Sequence, residues 1–232
     1  MRSFVVAGVL LLVLLSAGAG CGATSATGQR NDAGVRLQDK GDFLGAIAEF
    51  DEAIRLDPDN ATAYTNRGFS YNQLGMYQRA IEDLDDAIRL DPDRAEAYNN
   101  RSFSYYNVQE YQRTVDDLTE AIRLEPKYAL AYNNRGFALV RMGKYDESVE
   151  DYTEAIGLDP ENALMHNNRG FAYISLGEYQ QAIDDFNEAV RLNPQYMEAF
   201  GGRARAHALL GKDGRAEEDI ARAEELGADR TL

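Results

Sequence analysis

Cys21 is the only thiol in the chain, and His166 and His207 are its only imidazoles. A nucleophile needs a base beside it, and a metal needs several such groups converging on one point. The sequence suggests neither arrangement. Cys21 closes a run of small residues, Ser16 to Gly20, with no histidine fixed near it. His166 stands where equivalent stretches carry Tyr64, Tyr98, Tyr132 and Phe200, and His207 stands where one carries Tyr71, so both read as packing residues. Carboxylates are abundant, as in Glu82-Asp83 and Asp116-Asp117, but they recur at fixed spacing instead of forming one pair. A glycine-rich phosphate loop, a His-Glu-x-x-His and a Gly-x-Ser-x-Gly are all missing. No catalytic residue, metal ligand or cofactor is expected, and the chain is not read as an enzyme.

The chemistry that does recur is that of the amide. Asn66, Asn100, Asn134 and Asn168 follow one another at 34-residue intervals, and Asn99, Asn133 and Asn167 precede three of them. Phe69, Phe103, Phe137 and Phe171 keep the same interval. Asparagine is a poor helix former, so propensity does not account for the column. An amide offers a donor and an acceptor, which suits the main chain of an extended peptide. The competing reading is that each Asn bonds only to the neighbouring copy. The Phe column divides in the same way, between the floor of a groove and packing between copies.

Elements of one kind must position these columns. Pro58, Pro92, Pro126, Pro160 and Pro194 are the only prolines, each 34 residues after the last. Proline stops helices, and a period of this length indicates a repeated helix–turn–helix unit. In one copy Tyr64, Gly68 and Tyr71 share a helical stripe, and Ile81, Leu84 and Ile88 form a second after a break at Leu74-Gly75. Gln109 is the one poor turn residue at that break. Asn66 lies two residues from Tyr64, about 200° around the helix, so the stripe Thr62, Asn66, Phe69, Gln73 points away from the core stripe.

These residues resemble the tetratricopeptide repeat family. The opening aromatic, the small residue at Gly68, Gly136 and Gly170, the second aromatic at Phe43, Tyr77, Tyr111, Tyr145 and Tyr179, and the alanines from Ala53 to Ala223 all fit its pattern. Ser102 and Ala204 depart from it, as do Arg67, Arg101, Arg135, Arg169 and Arg203, where the family usually has Leu. Such arginines need partners, and Glu49, Asp83, Asp117, Asp151, Asp185 and Asp219 form a matching column. The spacing does not say whether they pair within a repeat or between repeats. The resemblance implies an all-α, right-handed superhelical solenoid, with the Asn stripe on its concave surface. Six repeats are expected, over about 27–60, 61–94, 95–128, 129–162, 163–196 and 197–230, within a solenoid domain 31–232. Glu217 and Glu224 replace the apolar residues of earlier copies, as a terminal cap requires.

Composition bounds the rest. Lys and Arg number 24 against 39 Asp and Glu, a formal charge of −15, so nucleic acid is not an expected partner. Arg2, an apolar run from Phe4 to Leu15 and the small residues before Cys21 read as a signal peptide over residues 1–20. The cysteine falls where a bacterial lipoprotein signal places its lipidated residue, although Gly18 stands where that pattern has Leu. Cleavage after Ala17-Gly18-Ala19, giving a soluble secreted or periplasmic protein, is the rival. Residues 21–30 read as a flexible tether of roughly 15–20 Å. The expectation is therefore a scaffold of the bacterial cell envelope, anchored by lipid at Cys21, that binds a protein or peptide segment. It resembles tetratricopeptide lipoproteins that assemble envelope machinery. A self-associating structural protein and a cell-wall glycan binder are the alternatives.

Overall fold

Gly41, Gly75, Gly143, Gly177 and Gly211 take φ between 69° and 82°, a left-handed conformation that ends a helix and turns the chain. Gln109 occupies the equivalent place with φ 65°, at a cost of roughly 1 kcal/mol relative to glycine. The other kind of junction is set by proline. Asp57, Asp91, Glu125, Asp159 and Asn193 each precede a proline and leave the helix with ψ between 76° and 94°. The proline ring bars the helical conformation from the residue before it.

The computed structural model describes residues 25–227, and these signals divide them into twelve α-helices with no strand. The helices are α1 (Ala26–Gln38), α2 (Phe43–Leu56), α3 (Ala61–Gln73), α4 (Tyr77–Leu90), α5 (Ala95–Asn107), α6 (Tyr111–Leu124), α7 (Ala129–Arg141), α8 (Tyr145–Leu158), α9 (Ala163–Leu176), α10 (Tyr179–Leu192), α11 (Met197–Leu209) and α12 (Asp213–Glu225). They form six helix–turn–helix pairs. The tether expected over residues 21–30 is corrected at its C-terminal end. Ser25 caps α1 by accepting from Gly28 N at 3.1 Å, so residues 26–30 are helical. Cys21 and the signal segment lie outside the described residues.

The chain divides into two compact units, which among the described residues hold α1–α6 and α7–α12. Within the first, α1 packs on α3 and α3 on α5; within the second, α7 packs on α9 and α9 on α11. No second helix packs comparably on the next second helix. Each unit therefore bends around its first helices.

Close approach within a pair depends on the small residue of the first helix. A Cβ on Gly68 would lie 2.7 Å from Leu84, and one on Gly170 would lie 2.9 Å from the Phe186 ring. Gly136 and Gly170 face the rings of Tyr152 and Phe186, whereas Ser102, like Gly68, has a leucine, Leu118, in the facing register. Leu84, Leu118, Tyr152 and Phe186 are almost completely enclosed.

Candidate functional site

The asparagine columns stand on the first helices, as expected, but their side chains are not exposed. Asn99, Asn100, Asn133 and Asn134 are fully buried, Asn167 and Asn168 nearly so, and Asn66 is half-buried. Pointing away from the core stripe does not expose a side chain when the first helix of the adjacent repeat lies against that face. In the C-terminal unit Asn168 Nδ2 donates to Asn133 Oδ1 at 3.0 Å, a bond between adjacent repeats. Asn133 Nδ2 donates to Asn134 Oδ1 at 3.4 Å. The amides are not all satisfied, however. Neither amide atom of Asn100 has a hydrogen-bond partner, and Oδ1 of Asn167 and of Asn168 accepts no bond.

The phenylalanines serve packing first. Phe69 meets Phe43 edge-on at 6.4 Å, Phe103 lies 6.3 Å from Tyr77, and Phe171 meets Phe186 at 5.1 Å. Phe69 and Phe137 are buried, while Phe103 and Phe171 keep one side half-open.

A second set of amides was not singled out in the sequence. Gln38 Nε2 donates to Asn66 O and to Ser70 Oγ, both at 2.8 Å. One repeat later Asn72 Nδ2 donates to Asn100 O at 2.8 Å, and Ser104 Oγ donates to Asn72 Oδ1 at 2.6 Å. These bonds latch each first helix of the N-terminal unit to the next. In the C-terminal unit the corresponding positions are Val140 with Ala172 and Ile174 with Ala206. Both members change together, and that paired change was the available signal. Asn72→Val alone should lower stability by about 1–2 kcal/mol, because it removes the donor to Asn100 O and leaves Ser104 only a long bond of 3.4 Å to that carbonyl. Asn72→Val with Ser104→Ala should recover most of that loss, as read from urea denaturation midpoints.

The arginine column is structural, and its fork spans two repeats. Nε and Nη2 of Arg67, Arg101, Arg135, Arg169 and Arg203 grip Asp83, Asp117, Asp151, Asp185 and Asp219 of the same repeat at 2.7–2.9 and 2.6–2.7 Å. Nη1 reaches back to the preceding repeat, from Arg67 to Asp51 at 2.5 Å and from Arg101 to Asp85 at 2.6 Å. In the C-terminal unit it meets Thr153 Oγ1 from Arg169 and Asn187 Oδ1 from Arg203. The first repeat has Ala33 in the arginine's place, and Glu49 pairs instead with Arg30 at 2.9 Å. Burial pushes the Asp83 and Asp117 carboxyls up, against the pull of their arginines. Burial also opposes charge on Arg67 and Arg101, but their bonds to the aspartates outweigh it and hold both guanidiniums protonated.

Both histidines are buried, as packing residues should be. His166 is raised by Asp185, whose Oδ1 lies 3.7 Å from Nδ1, with help from Pro160 O at 3.0 Å from Nε2. Burial lowers His207. A raised histidine stabilises fully below its unfolded value near 6.5 and loses that contribution as pH rises through its folded value. A depressed one stabilises fully above that value and loses the contribution as pH falls toward its folded value. His207→Phe should therefore leave a chain that gains stability on acidification from pH 8 to 5.5, and His166→Phe one that loses it. Thermal denaturation across that range checks both.

Among the described residues no group of three His, Cys, Asp or Glu could hold a metal, and no helix is long and apolar enough to cross a membrane. The stripe in register with Thr62, Asn66, Phe69 and Gln73 differs in chemistry between the units. In the N-terminal unit it includes Asp32, Asp39 and Glu96 and no Lys or Arg; in the C-terminal unit it includes Leu130, Leu164, Arg141 and Arg205, with Glu198 its one acid.

Four tetratricopeptide repeat models match the chain, over residues 34–75, 61–94, 118–150 and, for the fourth, 135–196 and 172–230. Among solved structures, the MamA protein is 30% identical with a TM-score of 0.64, over 73% of this chain and 93% of its own. PilW, a widely conserved type IV pilus biogenesis factor, has a TM-score of 0.80 at 18% identity, over 88% of this chain and 94% of its own. YrrB, described as having an unusual peptide-binding site, has a TM-score of 0.65 at 20% identity, over 78% and 93%. The last two likenesses bear on the fold alone. No curated protein matches the sequence.

Proposed function

Because the chain belongs to the tetratricopeptide repeat family, we propose that it is a non-catalytic scaffold of the bacterial envelope that binds a protein segment along its first helices. The observation that carries this reading is the set of buried amide atoms left without partners at Asn100, Asn167 and Asn168. A buried polar group without a bond costs about 1–3 kcal/mol. Three residues in two adjacent columns bear that cost, and a bound main chain would relieve it by supplying both donors and acceptors. The peptide-binding site in YrrB's description and the pilus role in PilW's agree with this reading.

On this proposal the chain is exported and held at a membrane through lipid on Cys21, and its partners are the membrane and a protein or peptide segment, with a second copy of the chain as the alternative. A crosslinking pulldown from envelope extracts tests the scaffold function, since it should recover one discrete protein. Recovery of only the chain itself would favour self-association instead. Membrane fractionation of Cys21→Ser tests the anchor. The variant should move to the soluble fraction, and a mature N-terminus at any residue other than Cys21 would refute lipidation.

A further inference from the structure

The inner stripe of the N-terminal unit carries acids and no base, with Asp32 and Asp39 exposed on and just beyond α1 and Glu96 half-buried on α5. Among the described residues Glu96 makes no ion pair with a Lys or Arg, and nearby Arg94 is held by Asp91 at 3.0 Å. Burial pushes the Glu96 carboxyl up, against a weaker pull from Arg94. One turn further along the same face stands Asn100, fully buried with neither amide atom bonded. Phe103, half-open, follows on that face. A carboxylate, a free amide and an aromatic surface thus lie in line on one helix, spaced by four and three residues. Because Asn100 has no side-chain bond to give up, it loses none when it turns toward the groove.

We propose that the N-terminal unit takes an extended segment bearing a lysine or arginine, whose cation pairs with Glu96 while its adjacent main-chain amide bonds to Asn100. This rests on the scaffold reading and names the chemistry of the partner. Three features favour a basic segment. The stripe contains no base, the chain as a whole carries a formal charge of −15, and an acidic face draws cationic partners in by long-range attraction. A cation on Glu96 would also offset the burial that raises its carboxyl. In the C-terminal unit the place of Glu96 is taken by Leu130, Leu164 and Glu198, and Glu198 is exposed and followed by Gly202 and Arg205 where Asn100 and Phe103 would stand, so the combination is not repeated there.

The test is calorimetric titration of the full chain with a capped dodecapeptide of alternating lysine and serine, beside a control peptide with glutamate for lysine. The lysine peptide should bind and the glutamate peptide should not. Glu96→Gln should weaken binding about tenfold, as loss of a charged hydrogen bond does. It should also flatten the dependence on salt. Asn100→Ala should weaken binding several-fold with the salt dependence unchanged. Glu82→Gln, the same charge change on the exposed face of α4, should have no effect. Absence of binding, or equal losses from Glu96→Gln and Glu82→Gln, would overturn the proposal. If Asn100→Ala does not fold, Glu96→Gln decides alone. A protein captured equally well by wild type and Glu96→Gln would overturn this site while leaving the scaffold reading standing.

Discussion

Phe186→Ala should lower the stability of the C-terminal unit by about 3–5 kcal/mol. The ring is completely enclosed, meets Phe171 edge-on at 5.1 Å, and fills space left by two glycines. A Cβ on Gly170 would come within 2.9 Å of it and one on Gly202 within 2.5 Å, so both backbones have closed onto the ring. Backbones drawn in so far collapse little further, and truncation leaves most of the ring volume empty. Gly170→Ser should also destabilise, by collision. The sequence contains the compatible combination at Ser102 and Leu118, so Gly170→Ser with Phe186→Leu should cost less than the sum of the single changes. Urea denaturation of the four chains checks this, and strict additivity would mean that the two positions do not touch.

Arg101→Ala should cost about 3 kcal/mol, because removing one member of a buried pair leaves the other charged and unpartnered. Arg101 holds Asp117 with two bonds and Asp85 with a third, and lies over the rings of Tyr98 and Tyr105 at 5.6 and 5.7 Å. Asp117 is almost entirely buried. Arg101→Lys should recover only part of the loss, since an ammonium cannot make two parallel bonds to Asp117 while reaching Asp85. Replacing both Arg101 and Asp117 by apolar residues should cost less than Arg101→Ala alone. A midpoint unchanged in Arg101→Ala would show that the pair contributes nothing to folding.

Whatever depended on the period was legible in the sequence. Proline and glycine gave the two kinds of junction, and the matching arginine and aspartate columns gave the existence of an ion-pair ladder. The split of each arginine fork was not legible, because Asp51 and Asp83 are both sixteen residues from Arg67. The burial of the asparagines was missed for a different reason. Helical periodicity fixes the direction of Asn100 relative to its own axis but not how closely the neighbouring first helix approaches, which Gln38, Ser70, Asn72 and Ser104 help to set through their latching bonds. The helical start at Ala26 depended on one cap, Ser25, in a stretch whose composition read as a linker.

Within the N-terminal unit the fork and the latch are both in register with the 34-residue period, so its second copy offers the third what it receives from the first. Excising residues 61–94 from the N-terminal unit would present Asp51 to Arg101, and Gln38 to Ser104 and Asn100 O, the same contacts that α2 and α1 now make with α3. Duplicating that stretch would preserve them as well. Unequal recombination between these copies can therefore lengthen or shorten the N-terminal unit without breaking an interlock. The outermost copies are not exchangeable in this way, since Ala33 and Ala221 stand where interior copies carry the arginine and its backward partner. A gene built on this plan can vary its reach while keeping its two ends constant.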